Sequence, residues 1–140
     1  MPILNVQLDT SRYAPEALNA FMQQATDTFA ETLGCPKERI RVYLRDTPAH
    51  LMCVGGAVAE DEAVDAPFFE FFLLQGRPPE HRDRLLVAFT QLLVDCLGIE
   101  KSVIRGYCCH VPPEDWTIAG VPAGNKRSDE IAARKARADA

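Results

Sequence analysis

The residues of this 140-residue chain that are best suited to chemistry are Pro2 and two pairs of arginines at matched positions. Removal of Met1 exposes Pro2 as a secondary amine, whereas a retained Met1 turns the nitrogen of Pro2 into an amide. An α-amino group titrates at about pH 8, and an apolar pocket or neighbouring cations lower that pKa. The sequence therefore predicts that Pro2 is a general base near neutral pH, a group that typically accelerates proton transfer by roughly 10²–10⁴.

The matched arginines are candidates for binding an anion. Arg12 and Arg77 each follow a predicted strand, and Arg41 and Arg105 each lie within one. A guanidinium inside a strand is costly unless it meets an anion, and its planar fork binds a carboxylate through two hydrogen bonds. The alternative is an ordinary surface ion pair with one of the 20 acidic residues. The residues alone leave both interpretations open.

The arginine pairs belong to an internal repeat that covers most of the chain. Pro2 and Pro67 are 65 residues apart, as are Arg12 and Arg77, and the offset becomes 64 after one extra residue near Tyr13. The pairs at the second offset are Pro15/Pro79, Glu16/Glu80, Leu33/Leu97, Gly34/Gly98, Ile40/Ile104, Arg41/Arg105, Tyr43/Tyr107, Pro48/Pro112 and Gly56/Gly120. Such periodicity indicates one supersecondary unit used twice. Because the nitrogen of Pro67 is an amide, only the first copy can present a prolyl base.

Each copy has the pattern of a strand, a helix, a second strand and a short extended tail. Leu4, Val6 and Leu8 alternate with polar residues, and a nearly continuous apolar run covers 68–74, as expected for strands. Apolar residues at helical spacing follow each leading strand and end at a glycine. A β-α-β crossover makes parallel neighbours. We therefore predict an α+β fold in which two β-α-β repeats form a four-stranded mixed sheet with two helices on one face.

The length of the chain is that of one domain. We divide it into repeat one at 2–56, a linker at 57–66, repeat two at 67–121 and an exposed tail at 122–140. The second face of the sheet is expected to be apolar and uncovered. A large bare apolar face predicts self-association.

Composition restricts the partners and the cellular setting. The net charge is -5, with no basic cluster in the first 120 residues, which disfavours nucleic-acid binding. The sequence has no apolar run of membrane-spanning length and no signal-peptide pattern. Its five cysteines lack a Cys-x-x-Cys spacing and disfavour disulfides and zinc. We expect a cytoplasmic protein without a metal or cofactor, and with neither nucleic acid nor a membrane as partner.

Two segments carry a resemblance to a known family. The segment 73–77 (Leu-Leu-Gln-Gly-Arg), followed by Glu80 and Leu85, is similar to the opening of 4-oxalocrotonate tautomerase, and 42–56 is similar to its tail. Over residues 2–121 the chain thus resembles a fused two-repeat member of the tautomerase superfamily. The resemblance implies the tautomerase fold, no cofactor, a small carboxylate substrate and a homotrimer.

The resemblance also implies roles for individual residues. Pro2 matches the catalytic proline, and Arg77 matches the arginine that binds a substrate carboxylate. Arg12 is the counterpart of Arg77 in the other copy. Arg41 and Arg105 match the family's second arginine, which polarises a carbonyl and comes from a neighbouring chain. Either copy could supply that arginine to the Pro2 site.

Fused relatives leave further alternatives open. Tyr107 matches a tyrosine of cis-3-chloroacrylic acid dehalogenase, but Phe29 stands at the place of that enzyme's histidine and Ile118 near that of its glutamate, which disfavours dehalogenation. Glu38 falls where malonate semialdehyde decarboxylase has an aspartate, so decarboxylation stays open. Trp116 and Ile118 fall where the family has its pocket wall, and we include them with Tyr107 and Glu38 as substrate-binding candidates.

The sequence therefore predicts a cofactor-independent keto–enol tautomerase, an isomerase that acts on a small 2-oxo or 2-hydroxydienoic acid with Pro2 as general base. One alternative is a lyase, which decarboxylates or hydrates a three-carbon oxo acid with the same proline. The other is a non-catalytic trimeric binding module.

Overall fold

The computed structural model describes residues 2–59 and 65–140. Within them the two copies contribute the same elements in the same order. The first copy contains β1 (Ile3–Leu8), α1 (Pro15–Leu33), β2 (Arg41–Asp46), β3 (Cys53–Val54) and β4 (Ala57–Val58). The second contains β5 (Phe68–Leu74), α2 (Pro79–Leu97), β6 (Arg105–Val111), β7 (Thr117–Ile118) and β8 (Val121–Pro122). Two further helices follow, α3 (Ala123–Lys126) and α4 (Ser128–Ala138).

The two long helices have the same local design. Each spans 19 residues and begins with proline followed by glutamate. Proline is pre-organised for the first helical position, and glutamate there complements the helix dipole. Each helix ends at a glycine in the left-handed conformation, Gly34 at φ 61° and Gly98 at φ 67°. A side chain at either position would be strained, so the glycines fix where the chain leaves the helix.

The four long strands form one mixed sheet in the order β2-β1-β5-β6. The strands within each copy are parallel, and β1 and β5 pair antiparallel at the centre. The amide of Arg41 donates to the carbonyl of Pro2 at 3.2 Å, and the amide of Arg105 donates to that of Pro67 at 3.2 Å. This arrangement confirms the predicted α+β fold with two β-α-β repeats.

The core lies between the sheet and the two long helices. Alternation along the central strands turns one side chain in two toward the helices. The strand residues that are buried there are Leu4, Val6, Leu8, Phe69, Phe71 and Leu73. The rings of Phe29 on α1 and Phe89 on α2 meet edge to face at 4.8 Å between centroids. Helices and sheet are therefore joined by an aromatic cluster that both copies build.

The opposite face of the sheet is mixed, whereas the sequence predicted it to be apolar. The alternation that buries the apolar residues of β1 leaves Asn5 on this face, where its Nδ2 donates to Glu70 Oε1 at 3.2 Å. The hydroxyl of Tyr107 donates to Glu70 Oε2 at 2.8 Å. Phe72 and Trp116 contribute apolar surface, with ring centroids 6.3 Å apart. The prediction of an apolar face was wrong because the polar Asn5 and Glu70 lie on it beside Phe72.

The connecting and terminal segments differ in part from the sequence expectation. The β3–β4 hairpin runs to Val58, which is two residues into the predicted linker, and residues 60–64 of that linker lie outside the described residues. The predicted exposed tail forms α3 and α4, and α4 has no buried residue. Among the described residues, none of the helices combines the length and apolarity that a membrane crossing requires.

Candidate active site

Pro2 lies buried at the start of β1 and lines a small cavity of about 30 Å³. The cavity adjoins a larger cleft of about 860 Å³. The residues that line both are Leu33, Cys35, Arg39, Arg77, Glu130 and Arg134. The proline therefore faces a partly enclosed space lined by several charged side chains, and we call this space the Pro2 pocket.

Arg77 enters the Pro2 pocket from the loop between β5 and α2. Its Nη1 donates to the carbonyl oxygen of Leu33, the last residue of α1, at 3.2 Å. Burial lowers the pKa of Arg77, and the charge of Arg134 lowers it further. A guanidinium nevertheless stays protonated at neutral pH. The structure thus brings Arg77 to the same pocket as Pro2 within one chain, as a cation held by a helix end.

Arg39 is a second cation of the Pro2 pocket, and the sequence analysis did not select it. It ends the short 3-10 turn Lys37–Arg39, which follows α1. Its Nη1 donates to both carboxylate oxygens of Glu130, at 3.2 Å to Oε1 and 3.0 Å to Oε2. Repetition between the copies does not identify Arg39, because the matched residue of the second copy is Val103. Its presence in only one copy is no signal either, since Arg45 and Arg82 share that property.

The C-terminal helix α4 closes one side of the Pro2 pocket. Glu130 and Arg134 are four residues apart on one face of α4, and Arg127, the residue just before α4, lines the pocket with them. Hydrogen bonding by Arg39 lowers the pKa of Glu130, so this carboxylate is ionised at neutral pH. The described lining of the small cavity holds four arginines and one glutamate, and Arg137 also lines the adjoining cleft. Such an excess of positive charge attracts an anionic ligand.

Cys35 also lines the Pro2 pocket. Burial raises the pKa of its thiol, so the sulfur is protonated at neutral pH and is a poor nucleophile. The proline nitrogen is thus the better base of the two, provided that Met1 is absent.

Several predicted site residues lie elsewhere in the single chain. Arg41 and Arg105 are exposed at the starts of β2 and β6. Their Nη1 atoms donate to backbone carbonyls, Arg41 to Glu38 at 3.1 Å and Arg105 to Ser102 at 2.7 Å. Glu38 is itself exposed. None of these three side chains lines the Pro2 pocket of its own chain.

Tyr107 and Trp116 lie on the face of the sheet opposite the helices. Ile118 lies in the short β7–β8 hairpin. Tyr107 is 45% exposed and stacks on Phe68 with centroids 5.8 Å apart. Its hydrogen bond to Glu70 raises the pKa of its phenol. Trp116 lines a groove of about 550 Å³ on that face together with Phe72, and Ile118 is half-buried in β7. Within one chain they are apart from Pro2.

The second copy forms a pocket from residues that match part of the lining of the Pro2 pocket. We call it the Pro67 pocket after that copy, although Pro67 itself is not among its lining residues. It has a volume of about 600 Å³ and is lined by Arg12, Tyr13, Asp65, Leu97, Gly98, Ile99, Glu100 and Val103. Nε of Arg12 lies 3.5 Å from Asp9 Oδ2, and Nη2 donates to the carbonyl of Ala59 at 3.3 Å. The structure therefore places Arg12 beside this second pocket, in an ion pair.

Comparison with known proteins gives matches over most of the chain. The family model "Tautomerase enzyme" matches residues 2–62 and again 67–126. The 2-hydroxymuconate tautomerase of Comamonas testosteroni is 35% identical over 57 residues, which are 41% of this chain and 90% of that protein. The enzyme of the same name from Pseudomonas putida is 32% identical over 57 residues, with the same coverage.

Solved structures match the fold of both copies together. The wild-type symmetric trimer of the W0 fused 4-OT is 28% identical, with a TM-score of 0.78, covering 87% of this chain and 98% of that one. The asymmetric trimer of the F6 fused 4-OT has a TM-score of 0.80 at 22% identity, covering 89% and 98%. The structure of Pt0534 inactivated by 2-oxo-3-pentynoate has a TM-score of 0.80 at 19% identity, with the same coverage. With two family matches on one fold of two repeats, this chain is a fused member of the tautomerase family.

Proposed function

We propose that the chain is a cofactor-independent keto–enol tautomerase of small 2-oxo or 2-hydroxydienoic acids, with Pro2 as the general base. The observation that carries the proposal is the burial of Pro2 in a pocket that Arg77 and Arg39 also line. Low polarity and adjacent cations both favour the neutral, basic form of a prolyl amine. The 2-hydroxymuconate tautomerases among the relatives support the same activity.

The residues of the pocket divide the reaction between them. Arg77 binds the substrate carboxylate through charge-assisted hydrogen bonds. The nitrogen of Pro2 accepts the proton that leaves the 2-hydroxyl group or the carbon next to the carbonyl, and returns it at the other position of the conjugated system. Negative charge develops on the enolate oxygen meanwhile, and a fixed guanidinium stabilises it without reorganisation. No atom is lost from the substrate, so the product is an isomer.

We also propose that the working form is a homotrimer. Two of the similar fused structures are trimers, and the uncovered sheet face carries a groove that includes Trp116. Arg41 and Arg105 are exposed on the sheet, where a neighbouring chain can receive one of them as the arginine that polarises the carbonyl. Light scattering coupled to gel filtration tests this assembly, and a monomeric chain that is fully active would contradict it.

The lyase alternative has less support in this structure. It depends on Glu38 acting beside Pro2, and Glu38 is exposed and does not line the Pro2 pocket of its own chain. The excess of positive charge around Pro2 fits an anionic ligand, and the tautomerases among the relatives favour an enzyme over a non-catalytic trimeric binding module. Tautomerisation is therefore the function that we propose.

An electrophilic 2-oxo acid tests the proposed base directly. An amine adds to the triple bond of 2-oxo-3-pentynoate, so the reagent should label Pro2 and abolish the conversion of phenylenolpyruvate to its keto form. Intact mass of the untreated chain first establishes that Met1 is absent, and peptide mapping locates the adduct. Labelling of a cysteine alone, with tautomerase activity retained, would contradict the assignment.

A further inference from the structure

The feature of the Pro2 pocket that the proposed reaction does not use is the carboxylate of Glu130. Among the described residues that line the pocket, Glu130 is the one anion beside five arginines. It comes from α4, which begins after the second family match ends at residue 126. The pocket of this chain is therefore completed by a segment outside the repeated unit.

The carboxylate of Glu130 contacts one nitrogen of Arg39 and one nitrogen of Arg127. Arg39 Nη1 contacts both of its oxygens, at 3.2 and 3.0 Å, and Arg127 Nη1 lies 3.5 Å from Oε1. In residues 2–59 and 65–140, Nη2 and Nε of Arg39 make no hydrogen bond. A second carboxylate could therefore meet Arg39 with the planar two-bond geometry that Glu130 does not use.

The contact between Arg39 and Glu130 is one that a ligand can replace. The side chain of Glu130 is 44% exposed and that of Arg39 is 29% exposed, and ion pairs at such exposure contribute little to stability. Moving the Glu130 carboxylate away from Arg39 therefore costs little free energy, because a carboxylate of the ligand then pairs with Arg39 in its place. The lowered pKa of Glu130 means that the displacement exchanges one ionised carboxylate for another.

Building on the proposed function, we propose that Arg39 and Arg127 form a second anion subsite of the Pro2 pocket, which Glu130 fills in the free protein. The ligand of this subsite is the distal carboxylate of a linear dicarboxylate whose first carboxylate is bound by Arg77. A monocarboxylate leaves Glu130 in place. Glu130 therefore acts as an internal competitor that tunes specificity between the two substrate classes.

Arg77 and Arg39 are suited to two separate carboxylates because they enter the pocket from different loops. Arg77 precedes α2 and is held by the end of α1, whereas Arg39 precedes β2 and is held by α4. Arg134 adds a further positive charge to the lining. One carboxylate does not neutralise the positive charge of this lining. A ligand with two carboxylates fits it better.

Two non-reactive six-carbon dienes test the subsite by calorimetry. Trans,trans-muconate carries a carboxylate at both ends, and trans,trans-sorbate carries one. Arg39→Ala should weaken muconate binding about 10- to 100-fold, the effect of losing hydrogen bonds to a charged group, and change sorbate binding less than about twofold. Glu130→Gln should strengthen muconate binding by up to about fivefold, the limit for an exposed ion pair, and leave sorbate binding unchanged.

Matched controls come from an ion pair on α2 that lies away from the pocket. Arg82 Nη2 is 2.8 Å from Asp83 Oδ1, and neither residue lines the Pro2 pocket. Arg82→Ala and Asp83→Asn should change the binding of neither diene. Arg39→Lys keeps the charge and loses the planar fork, so it should fall between the wild type and Arg39→Ala. If Arg39→Ala does not fold, Arg39→Lys and Glu130→Gln carry the test.

The inference is overturned if Arg39→Ala changes muconate and sorbate binding equally, or if Glu130→Gln leaves muconate binding unchanged. Because the dienes are not turned over, this result is separate from that of the proposed function. If 2-oxo-3-pentynoate does not label Pro2 but the variants still affect muconate binding more than sorbate binding, the proposed function is rejected and the subsite is retained. The KM values for 2-hydroxymuconate and phenylenolpyruvate, measured in the same variants, should differ in the same way.

Discussion

The Pro2 pocket and the Pro67 pocket are built by the same unit and differ in the residues that could react. Both prolines are buried and accept a hydrogen bond from the second strand of their copy at 3.2 Å. Where the Pro2 pocket has Cys35 and Arg39, the Pro67 pocket has Ile99 and Val103. The scaffold is therefore kept in both copies, and the excess of positive charge is concentrated in one.

The two pockets differ in the balance of charge along their linings. The described lining of the Pro67 pocket holds Arg12 with two carboxylates, Asp65 and Glu100, and Arg12 is also paired with Asp9. The Pro2 pocket has an excess of cations. One unit used twice thus forms one pocket with an excess of positive charge and one without it.

The largest expected effect separates the two prolines. Pro2→Ala should lower kcat/KM for phenylenolpyruvate by roughly 10²-fold or more, because the positioned secondary amine is lost. Pro67→Ala, the matched control, should stay within about twofold, since the nitrogen of residue 67 is an amide in either case. Stopped-flow spectroscopy of the enol measures both. Equal losses in the two variants would mean that the prolines act through the fold alone.

The next largest effect is a difference in KM between variants of Arg77 and of its counterpart Arg12. Arg77→Ala should raise KM by about 10- to 100-fold, as expected when hydrogen bonds to a charged group are lost. Arg12→Ala should leave KM unchanged, because Arg12 lines the Pro67 pocket. Steady-state kinetics at several substrate concentrations resolve KM from kcat. A similar rise in KM for Arg12→Ala would place both arginines on one substrate.

The fold, Pro2 and Arg77 were predictable because the sequence patterns that indicate them are local or occur in both copies. Pro2, Arg77 and the glycines that end α1 and α2 stand at positions that the offset between copies identifies. Arg39 was not predictable by that route, since Val103 replaces it in the second copy. The position of Glu130 was not predictable either, because α4 buries no residue and so has no apolar stripe that would indicate where it packs.

A smaller effect, on the stability of the fold, comes from the loop that follows β1. The hydrogen bonds that fix this loop have no counterpart at the matched residue of the second copy. Asp9 is 6% exposed, and its carboxylate accepts hydrogen bonds from the backbone and hydroxyl of Ser11 and from the amide of Ala49. The matched residue is Leu74. Asp9→Asn should lower the free energy of unfolding by about 1–2 kcal/mol at neutral pH, because it replaces a charged acceptor of several donors.

The pH dependence of that loss has a definite sign. The Ser11 hydrogen bonds lower the pKa of Asp9 in the folded chain. The carboxylate therefore stabilises the fold above its unfolded pKa of about 4, and the contribution is lost as pH falls through the lowered value. Urea unfolding should show the wild type and Asp9→Asn converging in strongly acidic solution. Asp46→Asn, at an exposed acceptor for Thr10, is the control, and a difference that grows on acidification would contradict the assignment.

The smallest expected effect asks whether an arginine alone turns the Pro67 pocket into an anion site. Val103→Arg places a guanidinium at the position that Arg39 occupies in the first copy, at the end of the matching 3-10 turn Lys101–Val103. Because Asp65 and Glu100 line the same pocket, we expect the new cation to pair with them. Calorimetry with trans,trans-muconate should therefore still give one site per chain. Two sites per chain would show that the position of one arginine decides anion binding, whereas one site supports the view that the excess of cations in the Pro2 pocket is required.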